Sequence, residues 1–314
     1  MRCEASALCS YGQYIAMQFV PFAFCESVYN LLHEDFLKNV QISSKSWKAA
    51  ARENLENRVN LWVEFSCVAG VWKYVLYVET DEDLPTNITF DDLKQVNRQQ
   101  LHVIGVLLGE HTCLDSSYPH SSSLEEIYAI ANFILPFLFQ PSIEIMRAGN
   151  FPEETLSAIL LRYQNVSFSN ICVMDHQKLA ENFLTTQLQR DKVVRFLQVF
   201  DGAENFSENC LAVFEQFAIS QPFRHLYSTM VFNKPFFEIF FKKTTFIGKC
   251  ELSGDFSFDL AAFKPELQDS SLSVTGKSIA WRRDDGVLVK AIHVCDRNWF
   301  IHLISNEFTE RFAH

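Results

Sequence analysis

The sequence predicts an α/β fold: a short helical module near the amino end, followed by a curved, mainly parallel strand-helix array with an antiparallel cap. Three observations carry this. Beyond residue 100, short runs rich in β-branched and aromatic residues alternate with helical patterns. Those runs centre near residues 144, 169, 196, 227 and 249, about one strand-plus-helix unit apart, and successive units of that size stack into a parallel sheet. The closing stretch drops this rhythm for three apparent strands, divided by Asp285-Gly286 and by the polar run Asp296 to Asn298.

Each element has a local reason. VPFAFCESVYNLL places Val20, Phe24, Val28, Leu31 and Leu32 on one helical face, with Pro21 at the start, where a missing N–H costs nothing. Residues 20–57 hold two or three short helices, the last being SSKSWKAAARENLENR, capped by Ser43 or Ser44 and favoured by Ala49, Ala50 and Ala51. VNLWVEFSC and VWKYVLYVE flank Gly70 as a β-hairpin, and DEDLPTN reads as a turn. LHVIGVLL is a buried strand. The segment SSSLEEIYAIANFILPFLF is a helix opened by serine and early glutamates, and SIEIM is a short strand. Helices then follow at FPEETLSAILLRY, DHQKLAENFLTTQLQR, SENCLAVFEQFAI and PFFEIFFKK. The strands between and after them are VSFSNICVM, VVRFLQVF, FRHLYSTMVF and FIGKCEL. A leucine-rich-repeat-like sheet with helices outside is the preferred arrangement, and a closed or doubly wound sheet is the alternative.

Composition narrows the function. Of 314 residues, 48% are hydrophobic and 21% charged, enough for a sizeable core and unlike a disordered chain. The 30 phenylalanines are spread along the chain and predict layered packing, with no single aromatic cage. A net charge of −11 without any long basic run argues against nucleic-acid binding. Nine dispersed cysteines with no C-x-x-C pair read as free thiols in a reducing compartment, cytoplasmic or nuclear. There is no apolar run long enough to span a membrane, and the first eighteen residues lack a signal-peptide core.

The chemical motifs in the sequence lack the context their chemistry needs. Gly276-Lys277-Ser278 ends like a phosphate-binding loop, but that loop needs a glycine where Ser271 stands, and needs a strand before it and a helix after it. His111, Cys113, Asp115 and His120 share one polar loop without the tight pairs of a structural zinc site. Glu125-Glu126 and Glu153-Glu154 fall in first turns of helices, where they complement the dipole. No nucleophile elbow and no dinucleotide fingerprint is present. No catalytic residue, cofactor or metal is expected.

The region from Val20 to Arg58 resembles an F-box, the helical module that docks on a Skp1-type adaptor in cullin-based ubiquitin ligases. Val20-Pro21 takes the place of its Leu-Pro pair, and Trp47 that of its tryptophan, 26 residues after the proline. Phe24, Val28 and Leu32 fall on the apolar positions between, Leu37 on the leucine opening the next helix, and Lys45 on the basic residue before the tryptophan. Two positions depart from the pattern: Ala23 stands where an acid is usual, and Phe36 where an aspartate is.

The order of later segments is similar to an expanded nematode group of F-box-like proteins, whose divergent F-box precedes an α/β region that holds substrates. The resemblance implies an extension over residues 1–18, an F-box-like module over 19–58 and a substrate-recognition region over 59–314. Within the last, 59–99 is hairpin and connector, and 255–314 the antiparallel cap. It implies a non-catalytic adaptor that contacts the Skp1-type protein through Val20, Pro21, Phe24, Val28, Leu31, Leu32, Leu37 and Trp47, and a protein substrate through the array. A scaffold that has lost adaptor binding is the second expectation, motivated by Ala23 and Phe36.

Overall fold

The computed structural model describes residues 45–79, 86–109, 120–146, 151–174, 178–190, 194–200, 206–246, 249–263, 271–275, 278–295 and 298–305. Helix α1 (Lys45–Asn57) leads into the hairpin β1 (Val59–Val68) and β2 (Val71–Val78). Their antiparallel register pairs Val68 with Val71, so Ala69 and Gly70 alone make the turn. Both have positive φ, 50° and 79°, the geometry whose twist matches that of the flanking strands. The segment expected as a turn continues into β3 (Thr86–Asn87), which pairs with the end of β2.

The array then follows as α2 (Phe90–Gln95), β4 (Leu101–Gly109), β5 (His120–Ser122), α3 (Leu124–Ile134), β6 (Leu138–Met146), α4 (Glu153–Tyr163) and β7 (Asn170–Met174). It continues through α5 (Lys178–Leu188), β8 (Phe196–Val199), α6 (Glu208–Ser220), β9 (His225–Phe232), α7 (Lys234–Phe241) and β10 (Lys249–Phe256). The last strands are β11 (Ser271–Thr275), β12 (Ser278–Arg282), β13 (Leu288–Cys295) and β14 (Asn298–Ile304).

Helix starts are set by side chains that accept orphan backbone N–H groups. Ser123 Oγ accepts from Glu126 N at 3.2 Å, Ser207 Oγ from Cys210 N at 3.2 Å, and Asn233 Oδ1 from Phe236 N at 2.8 Å. Thr89 and Asp92 form a reciprocal capping box at α2.

Two boundaries differ from the sequence reading. The α3 helix stops at Ile134, because Pro136 has no N–H to continue it, and a 3-10 turn over Leu135–Phe137 delivers the chain into β6. The short strand expected at SIEIM is therefore nine residues long and begins at Leu138. The tail holds four strands where three were expected: Thr275 pairs with Ser278 across an antiparallel β11/β12 register, which splits one expected strand in two. Ser278, the described residue of the GKS fragment, thus opens a strand of a hairpin, and Gly276 and Lys277 lie outside the described residues.

All these strands belong to one 14-stranded sheet, ordered β11-β12-β13-β14-β10-β9-β8-β7-β6-β4-β1-β2-β3, with β5 beside β2. The seven strands from β1 to β10 on this path are mutually parallel, each beside its successor. Among these seven parallel strands the order advances one way without reversal, unlike a doubly wound sheet, and among the described residues the two ends of the path, β11 and β3, are not paired with each other, unlike a closed barrel. Right-handed crossovers that all advance one way put their helices on one face. Successive helices α3 to α7 indeed touch in sequence order. The antiparallel strands expected as a separate small sheet continue the same sheet, since β14 pairs with β10.

The core fills the space between that face and the helices. Val63, Val106, Ile143, Ile171, Leu197, Leu226 and Leu252 form its floor, and Ile130, Leu156, Leu184, Phe214 and Phe237 its roof. Phenylalanine is less evenly spread than the sequence reading expected. Phe237 meets Phe241, Phe256, Phe258, Phe263 and Trp281 with ring centroids 4.9–6.3 Å apart, at the junction of array and tail. The chain there brings α7, β10 and β12 together, so residues distant in sequence become one aromatic cluster.

Candidate functional site: the helix-free face of the sheet

Alternation along each strand sends every second side chain away from helices α2 to α7, onto a face that among the described residues is free of helices beyond the end reached by α1. Cross-strand register then lines these residues into rows. One row runs Ser142, Asn170, Phe196, His225, Glu251, His302 and Lys290, from β6 to β13. A neighbouring row runs Glu144, Cys172, Gln198, Tyr227, Ser253 and Phe300. Aliphatic residues are scarce in both, unlike the helix-covered face.

The face changes character along the sheet. At the β1, β2 and β4 end it is closed: Glu64, Val75, Leu107 and His102 are buried. Trp62 packs against Gly105 there, so close that an added Cβ would fall 2.1 Å from the indole. The α1 helix buries a stripe of Trp47, Ala50, Ala51 and Asn54, none of which joins the core beneath the other helices. Arg58 donates to Asn54 Oδ1 at 2.7 Å and its charge acts on His102, which ties that stripe to this end of the face. Burial, reinforced by Arg58, pushes the His102 pKa down to about 4.

From β6 onward the residues of these rows are half-buried to exposed, apart from the buried Ser253. Asn170 Nδ2 donates to Ser142 Oγ at 2.8 Å across the β6/β7 boundary. Phe196 is 39% exposed and stacks on His225 with centroids 6.4 Å apart. Phe200 meets Tyr227 at 4.9 Å. Burial, with Glu144 beside it, raises the Cys172 thiol to about 12, so it is protonated at neutral pH and a poor nucleophile.

A charged cluster closes the row. His225 Nδ1 lies 3.0 Å from Glu251 Oε2, His302 Nδ1 lies 3.1 Å from Glu251 Oε1, and Lys249 Nζ pairs with Glu251. Burial alone would raise the Glu251 carboxyl, but the bonds from Lys249 and His225 outweigh it and hold it below the usual glutamate range. Burial, and then the charge of Lys249, holds His302 below the ordinary imidazole value against the opposing pull of Glu251. At pH 7 His302 is therefore neutral, and the geometry assigns the tautomer in which Nδ1–H donates to the carboxylate.

Of the sequence-predicted adaptor residues, Val20, Pro21, Phe24, Val28, Leu31, Leu32 and Leu37 lie outside the described residues. Trp47 is on α1 and 8% exposed, so it packs within the molecule. His111, Cys113, Asp115 and Lys277 also lie outside the described residues, and His120 sits on β5 with its ring 5.2 Å from Tyr74. Among the described residues no group of three or more His, Cys, Asp and Glu side chains is placed to hold a metal ion, and no helix is long and apolar enough to cross a membrane. Cys67, Cys172, Cys210 and Cys250 carry free thiols. A groove between α4 and α5, near Leu161 and Phe183, has a volume of about 140 Å³, below the roughly 300 Å³ at which small-molecule sites begin.

The residues of the helix-free face were not singled out by the sequence reading, which placed recognition on the sheet as a whole. The signal that finds them is the alternate position in each strand, where Asn170, Gln198, Tyr227 and Glu251 interrupt aliphatic neighbours. It becomes usable once strand order shows which face lacks helices.

Compared with protein-family profiles, curated proteins and solved structures, the chain matches none.

Proposed function

We propose that this chain is a substrate-recognition subunit of a Skp1-cullin-F-box type ubiquitin ligase and carries no catalysis of its own. The adaptor docks on the apolar face of residues 20–37, and a protein substrate docks on the helix-free face from β6 to β13. The observation that carries the reading is the one-directional order of the seven parallel strands from β1 to β10. It puts every array helix on one side and leaves a broad second face lined with amide, aromatic and charged side chains. Broad surfaces of mixed character suit proteins better than small metabolites, which need concave pockets. The resemblance of Val20 to Arg58 to an F-box supplies the ligase half of the reading.

A scaffold without adaptor binding is the second reading. It is favoured by Ala23 and Phe36, and by the burial of Trp47, which leaves little of that side chain for a partner. Copurification with a Skp1-type protein separates the two. Recovery by the wild type, abolished by Pro21→Ala with Val28→Asp, supports the adaptor role; no recovery by the wild type supports the scaffold.

A further inference from the structure

Cationic side chains gather at one edge of the helix-free face, although the chain as a whole carries a net charge of −11. Lys249, at the start of β10, stands in one row with Ile304, Leu288 and the exposed Arg282. One row further in come His225, Glu251, His302 and the exposed Lys290. Arg195 and the exposed Arg224 stand immediately before β8 and β9 on the same edge, joined by the bond from Arg224 N to Arg195 O at 2.8 Å. Lys249, Lys290 and His225 all act electrostatically on His302, so these groups share one field. Glu251 is the carboxylate within the two rows, and it is engaged by His225, His302 and Lys249.

We propose that this edge, formed by Arg224, Lys249, Lys290 and Arg282 around the Glu251 cluster, binds an acidic, Asp/Glu-rich polypeptide segment, with Phe196 as its apolar neighbour. The proposal rests on the reading of the helix-free face as a recognition surface and names the chemistry of what is recognised. Charge complementarity is the argument. A local cationic strip on an acidic molecule steers an anionic chain to this place and repels it elsewhere. Glu251 holds Lys249 in position, so this cation is set before binding, which lowers the ordering cost.

The test uses the full chain and three fluorescein-labelled probes, read by anisotropy: a twelve-residue Glu-rich peptide, the same peptide with Gln for Glu, and a twelve-nucleotide oligothymidine. The expected result is binding of the Glu peptide that weakens with salt. Arg224→Glu with Lys290→Glu should weaken it by about tenfold or more, whereas Lys94→Glu on the distant α2 should leave it unchanged. Thermal melts of the same samples confirm that the variants fold. Absence of Glu-peptide binding, equal binding of the Gln peptide, equal binding by the folded double variant, or tighter binding of the oligonucleotide would each overturn the proposal. Adaptor copurification is scored on the same proteins: its loss refutes the ligase reading alone, and loss of peptide binding with the adaptor retained refutes this inference alone.

Discussion

Glu251 and His302 face each other across the boundary between the parallel array and the antiparallel tail, with Oε1 and Nδ1 3.1 Å apart. The pair sits where β10 meets β14, the strand through which the tail joins the main sheet. The helix-free face therefore extends across both parts without a seam, and its charged cluster draws on residues more than fifty positions apart in sequence.

The junction is fastened on the opposite side by Arg283, which is 7% exposed and donates from Nη1 to the carbonyls of Phe241 at 2.8 Å and Lys243 at 2.9 Å. These carbonyls lie at the end of α7, where a cation also meets the negative end of the helix dipole. Arg283→Met should cost about 2–4 kcal/mol in urea unfolding, because two buried acceptors lose their donor, and Arg283→Lys should restore only part, for want of the planar fork.

Gly109 ends β4 with φ +130°, and a Cβ there would fall 1.6 Å from the Met146 carbonyl oxygen. Gly109→Ala should destabilise the chain by about 3 kcal/mol or more, since both the backbone conformation and the close approach to β6 forbid the methyl group. Gly70→Ala is the contrast: its added methyl meets no neighbour within 4 Å, so only the strain of φ +79° remains, and a loss of about 1 kcal/mol is expected. Equal losses in parallel denaturation curves would contradict this account of β4 and β6.

Aromatic packing at α7 sets a third expectation. Phe237→Ala should cost about 3–5 kcal/mol, because it empties the centre of the cluster formed with Phe263 and Trp281. Leu161→Ala, on the outer face of α4 at 62% exposure, should stay within about 0.5 kcal/mol by the same measurement.

The pH dependence of stability follows from His102. Its folded pKa of about 4 is depressed below the unfolded value of about 6.5, so between these values the unfolded chain holds a proton that the folded chain does not. The contribution is fully favourable above pH 6.5 and is lost as pH falls towards 4, by up to about 3 kcal/mol. His102→Gln should flatten the stability curve across that window, and an unchanged slope in urea midpoints from pH 7 to pH 4.5 would contradict it.

Much of this architecture is legible in the sequence, for local reasons. The serines before Leu124 and Glu208 announce helix starts by side-chain chemistry, Gly70 a hairpin, and the strand spacing a parallel sheet. The boundary at Pro136 was missed because the apolar run ILPFLF hides a helix end and a strand start in one stretch. The tail's fourth strand is hidden because the one mark of reversal, Gly276 between Thr275 and Ser278, stands within an otherwise continuous alternation from Ser273 to Ala280. The recognition face was not legible residue by residue. Whether His225, Glu251 and His302 meet depends on strand order and register, which periodicity along one strand does not encode.

The central claim is a division of labour between an adaptor-binding segment at residues 20–37 and a substrate-binding sheet face. Hydrogen–deuterium exchange of the full chain, with and without a purified Skp1-type adaptor, tests it most directly. The expected result is slowed exchange in peptides covering residues 20–37, with β6 to β10 and β14 unchanged. Exchange that is unaltered throughout, or slowed on the sheet strands and not in the amino-terminal segment, would contradict the account.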